Sequence, residues 1–172
     1  MPALDGVLVA DFSRVLAGPV ATMMLGDLGA DVVKVERPGS GDDTRAWGPP
    51  FRDGESTYNL SVNRNKRSVE LDLSDPGDLE LARTLALRAD VLVENFHVGG
   101  MERRGLGYED LRADNPGLVY CAISGFGREG GAGLSGYDFI LQAVGGLMSI
   151  TGDEEPRKVG VALVDVLSLI HI

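Results

Sequence analysis

The stretch VLVADFSRVLAGPVATMMLGDLGADVVKVE, residues 7–36, has the pattern of a strand, a helix and a second strand. Its first six residues form a short apolar run with β-branched side chains, and residues 31–36 repeat that character, which predicts two strands. Val20–Leu28 has the apolar spacing of a helix, with Pro19 suited to its first turn and Gly29 to its end. The first 36 residues therefore predict a compact βαβ unit.

The remainder of the chain continues this alternation of strands and helices. We predict further strands at residues 68–73, 90–94 and 118–124. We predict a helix that is started by Ser74-Asp75-Pro76 and runs to about Arg88, a short helix near residues 108–113, and a helix at residues 137–148 that ends near the Gly145-Gly146 pair. Residues 37–66 are rich in Pro, Gly and charged side chains, and we expect a long ordered loop there. The alternation predicts an α/β fold, with a doubly wound, mostly parallel sheet and helices on both faces.

Composition limits the kinds of partner. A chain of 172 residues with 44% hydrophobic content suits one ordinary domain, and its net charge of −10 argues against nucleic acid or an anionic membrane surface as partners. The sequence has no apolar run of about 20 residues and no signal-peptide pattern in its first residues. Its one cysteine, Cys121, lies in an apolar run that predicts a buried strand residue. These features predict a cytoplasmic protein in a reducing compartment.

Two patterns concern anion binding. Gly125, Gly127 and Gly130 match the G-x-G-x-x-G dinucleotide pattern, but they lie in the last third of the chain and lead into more glycine and serine. Glu36, at the end of the second predicted strand, resembles a ribose-binding acid, although the first turn, after the first predicted strand, lacks the glycine fingerprint that accompanies such an acid.

Basic residues concentrate in loops near the predicted strand ends, where they are either solvated charges or phosphate ligands. They are Arg14, Arg37, Arg45, Arg64, Lys66, Arg67, Arg103 and Arg104.

Asp165 is a carboxylate inside the apolar run at residues 159–169. Burial of an isolated charge is costly, so this aspartate is expected to be paired, to cap a helix or to serve in chemistry. No Ser-His-Asp or Cys-His set and no metal-ligand spacing is readable, so we predict no metal. The final residues, SLIHI at 168–172, are apolar and lack a cap, which suggests a truncated chain with a non-native tail.

Six phrases of this sequence together resemble the class III CoA-transferases, the CaiB/BaiF group that contains formyl-CoA and carnitine CoA-transferases. They are FSRVLAGP, GADVVKVERPGSGDDTRAWGPPF, NLSVNRNKRSVELDL, ADVLVENFHVGGMERRGLGYEDL, NPGLVYCAISGFG and GYDFILQAVGGLMSITG. The resemblance implies a Rossmann-like large domain, a second smaller domain and an interlocked homodimer. Residues 1–172 would then be the N-terminal part of the large domain, without the second domain and inactive alone.

The resemblance also implies the site. By position, Asp165 matches the catalytic aspartate, although Leu169 follows Ser168 where the family has glycine. The implied reaction moves coenzyme A from an acyl-CoA to a small carboxylic acid through an aspartyl anhydride and then an aspartyl-CoA thioester. The implied coenzyme A contacts are Val15, Ala17, Arg37, Lys66, Asn95, Phe96 and Arg103.

Two alternatives remain open. A racemase branch shares the fold and coenzyme, but its histidine base falls where this sequence has Tyr137. A phenol keeps its proton at neutral pH, so Tyr137 is a poor base, and we expect it to contact substrate or to pack against the sheet. The non-enzyme alternative is an inactive CoA-binding fragment.

Overall fold

A computed structural model describes residues 1–168, and these form two compact units. The first is Met1–Ile123, and the second begins at Ser124. Residues 169–172, which carry most of the predicted non-native tail, lie outside the described part.

The first unit contains strands and helices in regular alternation. In chain order they are β1 (Leu8–Asp11), α1 (Ala17–Asp27), β2 (Asp31–Glu36), β3 (Phe51–Arg52), β4 (Glu55–Ser56), α2 (Thr57–Val62), β5 (Lys66–Glu70), α3 (Pro76–Arg88), β6 (Val91–Glu94), α4 (Tyr108–Leu111) and β7 (Val119–Ala122). Short 3-10 helices form at Asp43–Ala46 and Glu102–Arg104.

Five of these strands form one parallel sheet in the order β5-β2-β1-β6-β7. Strand order runs outward from β1 in one direction and from β6 in the other, so the topological switch point lies between β1 and β6. In an open α/β sheet the ligand crevice lies outside the carboxyl ends of the strands at this point. The predicted α/β class is confirmed.

Helices cover both faces of this sheet. Val9 and Ala10 are fully buried, and because consecutive strand residues point to opposite faces, they belong to different core clusters. Leu25 of α1 packs in the cluster of Val9, whereas Ala82 of α3 packs in that of Ala10. Burial on both faces explains why Leu8–Ala10 of β1 are all apolar and why Val32 and Val33 follow each other in β2.

Helix α1 begins three residues earlier than predicted, at Ala17. A Cβ at Gly18 would lie 2.2 Å from Cβ of Ser13, so only glycine lets the loop after β1 fold back against the helix. Pro19 does sit in the first turn, and Gly29 follows the helix with φ +104°. The late predicted start arose because Gly18 is a poor helix former by propensity.

The prediction for residues 37–73 needs three corrections, the first of which is the β3–β4 hairpin inside the predicted loop. Strand β5 starts at Lys66 rather than at Ser68, since its pairing with β2 begins at Lys66. Helix α2 was missed inside the predicted loop; the hydroxyl of Ser56 caps it by accepting from the backbone N–H of Asn59, at 3.4 Å. Helix α3 is confirmed at residues 76–88, with Asp75 as its N-cap.

The second unit contains α5 (Asp138–Val144), α6 (Leu147–Ile150) and α7 (Leu163–Ser168). The helix predicted from Tyr137 does end near the Gly145-Gly146 pair, as α5, but residues 147 and 148 belong to the separate helix α6, because Gly146 adopts φ +78° between the two. Among residues 1–168, no helix is long and apolar enough to cross a membrane.

Candidate functional site

The first two predicted coenzyme contacts are Val15, in the loop after β1, and Ala17, the first residue of α1. Val15 has φ +70°, a left-handed conformation that is unfavourable for a β-branched residue. The carboxylate of Asp42 accepts from the Val15 N–H at 3.2 and 3.3 Å. The Asn95 side chain accepts from the Arg14 N–H at 2.8 Å and donates to the Arg14 carbonyl at 2.7 Å. Asp42, which follows β2, and Asn95, which follows β6, thus hold this strained loop in place.

Two buried ion pairs support this loop. Lys34 Nζ lies 3.0 Å from Asp42 and donates to the Ser13 carbonyl at 2.8 Å; the side chains of the pair are 2% and 0% exposed. Burial pushes the pKa of Asp42 up, but the Lys34 charge and hydrogen bonds from Thr44 hold it below its ordinary value. The charge at Asp42 is therefore maintained for the Val15 contact.

Lys66, a predicted coenzyme contact, is the second buried lysine. Its ammonium lies 3.0 Å from Asp11, 2.8 Å from the Pro19 carbonyl and 2.9 Å from the Asn63 side-chain oxygen. Burial lowers the pKa of Lys66 to about 8, although Asp11 opposes that shift. Since an ammonium has three donors, these acceptors already use all of them. To bind a phosphate, Lys66 would have to release one.

Glu36 is also committed to internal partners. Its carboxylate accepts from Arg45 at 2.8 and 2.7 Å, from the Ser68 hydroxyl at 2.5 Å and from the Asp42 N–H at 2.8 Å. Burial raises its pKa, but these hydrogen bonds outweigh that effect and lower the pKa to about 2. This is a structural anchor for the segment after β2, rather than an acid available to a ribose.

The remaining predicted contacts lie after β2 and β6. Phe96 is half-buried, with the guanidinium of Arg14 4.6 Å and that of Arg104 5.6 Å from its ring centroid. Arg37 is exposed and pairs with Asp43, while Arg103 is exposed. A cavity of about 390 Å³ includes Lys66 in its wall but none of the other six predicted coenzyme contacts.

Asp165 lies in the first turn of α7 in the second unit, not at an N-cap as one expectation had it. The cap is instead Asp138 of α5, whose carboxylate oxygen accepts from Val164 N at 2.8 Å and Asp165 N at 3.2 Å. Burial, and then the negative charge of Asp138, raise the pKa of Asp165 to about 6. Asp165 is thus a half-buried carboxylate that still ionises near neutral pH.

Gln142 completes this arrangement. Its side chain is fully buried, donates to Asp138 at 2.7 Å and accepts from the Val159 N–H at 2.8 Å. It thereby ties the segment before α7 to α5. Sequence reasoning missed Asp138 and Gln142, although their four-residue spacing on a predicted helix placed them on one face. Tyr137, the tentative substrate residue, precedes α5 and is 63% exposed.

The glycine pattern at residues 125–130 serves a folded loop. A Cβ on Gly125 would lie 2.4 Å from Cα of Gly136, so the backbone at the start of the loop packs directly against the backbone at its end. Gly127 and Gly130 have φ +74° and +68°, which other residues rarely adopt. The pattern therefore has a local structural cause.

Two further predictions concern single groups. Cys121 lies in β7 but is only half-buried, which corrects the expectation of a fully buried residue; burial and the charge of Glu94 raise the pKa of its thiol. Among residues 1–168, no three His, Cys, Asp or Glu side chains are grouped as they would be around a metal ion.

Comparison with known proteins identifies the family. The sequence matches CoA-transferase family III over residues 4–171. Succinyl-CoA:glutarate CoA-transferase from Mus musculus is 53% identical over 169 residues, which are 96% of this chain and 39% of the relative. Succinate–glutarate CoA-transferase from Agrobacterium fabrum is 51% identical, over 99% of this chain and 45% of the relative.

A solved structure supports the same conclusion. The CAIB/BAIF family protein from Brucella suis superposes with a TM-score of 0.93 at 48% identity, over 98% of this chain and 46% of that protein. The chain spans less than half the length of each of these three relatives. With a family match along nearly its whole length and relatives that are about half identical, this chain belongs to CoA-transferase family III.

Proposed function

We propose that this chain forms the coenzyme-binding part of a cytoplasmic enzyme that moves coenzyme A from an acyl-CoA donor to a small carboxylic acid. The observation that carries the proposal is Asp165, a half-buried carboxylate whose pKa is raised to about 6 by burial and Asp138. Relatives named for succinyl-CoA, glutarate and mesaconate favour dicarboxylic acids as substrates. The proposed family reaction requires no metal.

The proposed reaction is covalent. The Asp165 carboxylate attacks the donor thioester carbonyl, and the C–S bond breaks to give a mixed anhydride and CoA thiolate. The thiolate then attacks the aspartyl carbonyl, which releases the donor acid and leaves an aspartyl-CoA thioester. The acceptor carboxylate attacks that thioester, and its C–S bond breaks to give a second mixed anhydride and CoA thiolate; the thiolate finally attacks the acceptor's acyl carbon and displaces the Asp165 carboxylate. Acyl-CoA is released and Asp165 is regenerated.

The coenzyme is proposed to bind at the carboxyl ends of β1, β2 and β6. Arg37 and Arg103 are exposed guanidinium groups that can take phosphate oxygens. Val15, Ala17 and Phe96 would contact the coenzyme directly. For Lys66 and Asn95 we propose a supporting role in place of direct side-chain contact, because their polar atoms already bind Asp11 and Arg14.

The complete enzyme is proposed to be an interlocked homodimer with a second, smaller domain, and residues 1–172 alone to be inactive. Several large apolar side chains of the second unit are exposed, which supports a covering surface supplied by more of the protein or by a partner. They are Leu134, Tyr137, Phe139, Val144 and Ile150, at 60% to 80% exposure.

The function is tested with the complete natural protein that carries this sequence. It is incubated with succinyl-CoA and one acid at a time, with glutarate, mesaconate and oxalate in turn, and CoA thioesters are followed by mass spectrometry. A new thioester that depends on the added acid supports transfer. Exchange of an α-proton in a branched acyl-CoA, without transfer to any acid, would instead favour the racemase alternative.

The rate of transfer is expected to depend on the ionisation of Asp165. Because the nucleophile must be a carboxylate, kcat/KM should fall as the pH drops through about 6. Asp138→Asn removes a negative charge that raises the pKa of Asp165, and it keeps an oxygen for the N–H groups of α7. The acid limb of the pH profile should therefore move to lower pH.

The matched control is Asp153→Asn, the same change on an exposed loop of the second unit. Its pH profile should overlay the wild type. Identical profiles for all three proteins would contradict the assignment of the acid limb to Asp165.

A further inference from the structure

Gln142 of α5 is the most deeply enclosed side chain of the second unit. Of residues 124–167, whose exposure the structure describes, it is the only one that is buried, whereas Phe139 and Val144 of the same helix are 60% and 70% exposed. Burial of an amide is costly unless its polar atoms are hydrogen-bonded. A glutamine at this one buried position therefore indicates a use for its hydrogen bonds.

Three hydrogen bonds hold the Gln142 amide in a single orientation. Its nitrogen donates to Asp138 Oδ2 at 2.7 Å and to the Val161 carbonyl at 3.3 Å, and its oxygen accepts from the Val159 N–H at 2.8 Å. Exchange of the amide nitrogen and oxygen would set an oxygen against two acceptors and a nitrogen against a donor. Only the observed orientation satisfies all three partners.

The bond to Asp138 determines which way that carboxylate faces. Gln142 occupies Oδ2, while Oδ1 accepts from the backbone N–H groups of Val164 at 2.8 Å and Asp165 at 3.2 Å. Rotation of the carboxylate away from α7 would break all three of these bonds. Gln142 therefore keeps the Asp138 oxygen at the first turn of α7, next to the residue proposed as the nucleophile.

The other two bonds fix the chain segment that leads into α7. Val159 and Val161 lie four and two residues before Leu163, the first residue of that helix. The Leu163 N–H donates to the same Val161 carbonyl, at 2.9 Å. A helix as short as α7 gains little stability from its own hydrogen bonds, so its direction depends on contacts such as these. Gln142 thus also holds the backbone that carries Asp165.

We propose that Gln142 is a positioning residue for CoA transfer, which fixes the Asp138 carboxylate and the start of α7 and so aims the Asp165 carboxylate at the thioester carbonyl. The proposal rests on the proposed function, in which Asp165 is the nucleophile. Gln142 acts through Asp138 and α7 rather than through contact with substrate. Because misplacement of a reacting group by about 1 Å can cost about 10²-fold in rate, its loss should lower kcat far more than it weakens coenzyme binding.

The test uses the complete natural protein with Gln142→Met, which keeps the length of the side chain and removes all three hydrogen bonds. We expect kcat to fall about 10- to 100-fold, while the Kd of CoA, measured by calorimetry, stays within twofold. Burial and the Asp138 charge both raise the pKa of Asp165, so a carboxylate released from this arrangement should ionise at lower pH. The acid limb of the pH profile should therefore move to lower pH.

Two further variants test the route of the effect. The shift of the acid limb caused by Gln142→Met should be smaller in an Asp138→Asn background, because the charge through which Gln142 acts is already absent. Gln142→Asn serves if Gln142→Met does not fold. It keeps a buried amide but is one methylene shorter, so it cannot reach Asp138 and Val159 together, and kcat should fall in the same direction.

The matched control is Asn115→Leu in the first unit. It also removes an amide that donates to two carbonyls, those of Ala86 and Ala89 at 3.4 and 2.8 Å. Since Asn115 has no contact with α5 or α7 among these bonds, the variant should lower the unfolding midpoint and leave kcat and the acid limb unchanged.

The outcomes separate a positioning role from a structural one. A fall in kcat that matches the loss of sites trapped by hydroxylamine at Asp165, with an unmoved acid limb, would overturn the positioning role. A kcat within twofold of wild type in both Gln142 variants would also overturn it, while acid-dependent transfer by the wild type would leave the proposed function intact. If the wild type shows no acid-dependent transfer, both proposals fail.

Discussion

Asp165→Asn is expected to abolish CoA transfer, with a loss of at least about 10³-fold in kcat, since removal of a covalent nucleophile leaves only binding and positioning. The amide cannot form the mixed anhydride and is nearly the same size as the carboxylate. The measurement is acid-dependent formation of a new CoA thioester. In parallel, hydroxylamine trapping with peptide mass spectrometry should show a hydroxamate at Asp165 in the wild type and none in the variant.

Asp153→Asn, on the exposed loop, controls for the chemical change itself and should retain wild-type activity. Retention of transfer within tenfold by Asp165→Asn would remove the covalent mechanism. Hydroxamate at another carboxylate would move the nucleophile to that residue.

Asp165→Asn is expected to preserve or raise stability at pH 8, although it abolishes activity. The pKa of Asp165 is raised from 3.8 to about 6 in the folded protein, so its protonated form is favoured by folding. This contribution is fully present below about pH 4 and is lost as the pH rises through about 6. At pH 8 the unfolding midpoint of Asp165→Asn should therefore equal or exceed that of the wild type. A carboxylate with a purely structural role would give a lower midpoint.

The sequence predicted elements best where local signals agree with tertiary packing. Helix α3 begins within the predicted Ser74-Asp75-Pro76 start and ends at the predicted Arg88, because Asp75 caps it and Pro76 occupies its first position. Strand β2 was predicted at its observed residues because both its faces are buried. Strand β5 was misplaced by two residues, since its start is set by pairing with β2 and its own residues are mostly exposed.

The site was less predictable because its organising contacts join distant residues. Asp42 meets the Val15 N–H across 27 positions, and Asp138 meets the N-terminus of α7 across 26. Residue types do not reveal such contacts. The basic residues were identified as a group, but only the structure separates Lys66, with three internal acceptors, from Arg14, whose guanidinium has none among the described residues.

Breaking the buried Lys34–Asp42 pair is expected to have the largest effect on stability. Lys34→Met leaves a fully buried carboxylate without its counter-charge, and removal of one partner of a buried ion pair costs about 3–5 kcal/mol. Relief of the repulsion between Lys34 and Lys66 offsets part of that loss. Urea denaturation of the complete protein measures the free energy of unfolding. Arg67→Met, which breaks an exposed pair with Asp31, should cost no more than about 1 kcal/mol.

A double substitution tests whether the cost comes from the unpaired charge. Lys34→Met with Asp42→Asn leaves no net charge at the pair, so its loss should be clearly smaller than the sum of the single losses. Additive losses would mean that the two charges do not interact. The Asp42→Asn side chain keeps an oxygen for the Val15 N–H, but Lys34→Met also removes the hydrogen bond to the Ser13 carbonyl in the same loop, so the double variant should still bind CoA more weakly than the wild type, even where stability is partly restored. Lys34 would then act on the enzyme through the loop that holds Val15, and the loss of affinity would persist at temperatures well below the unfolding midpoint.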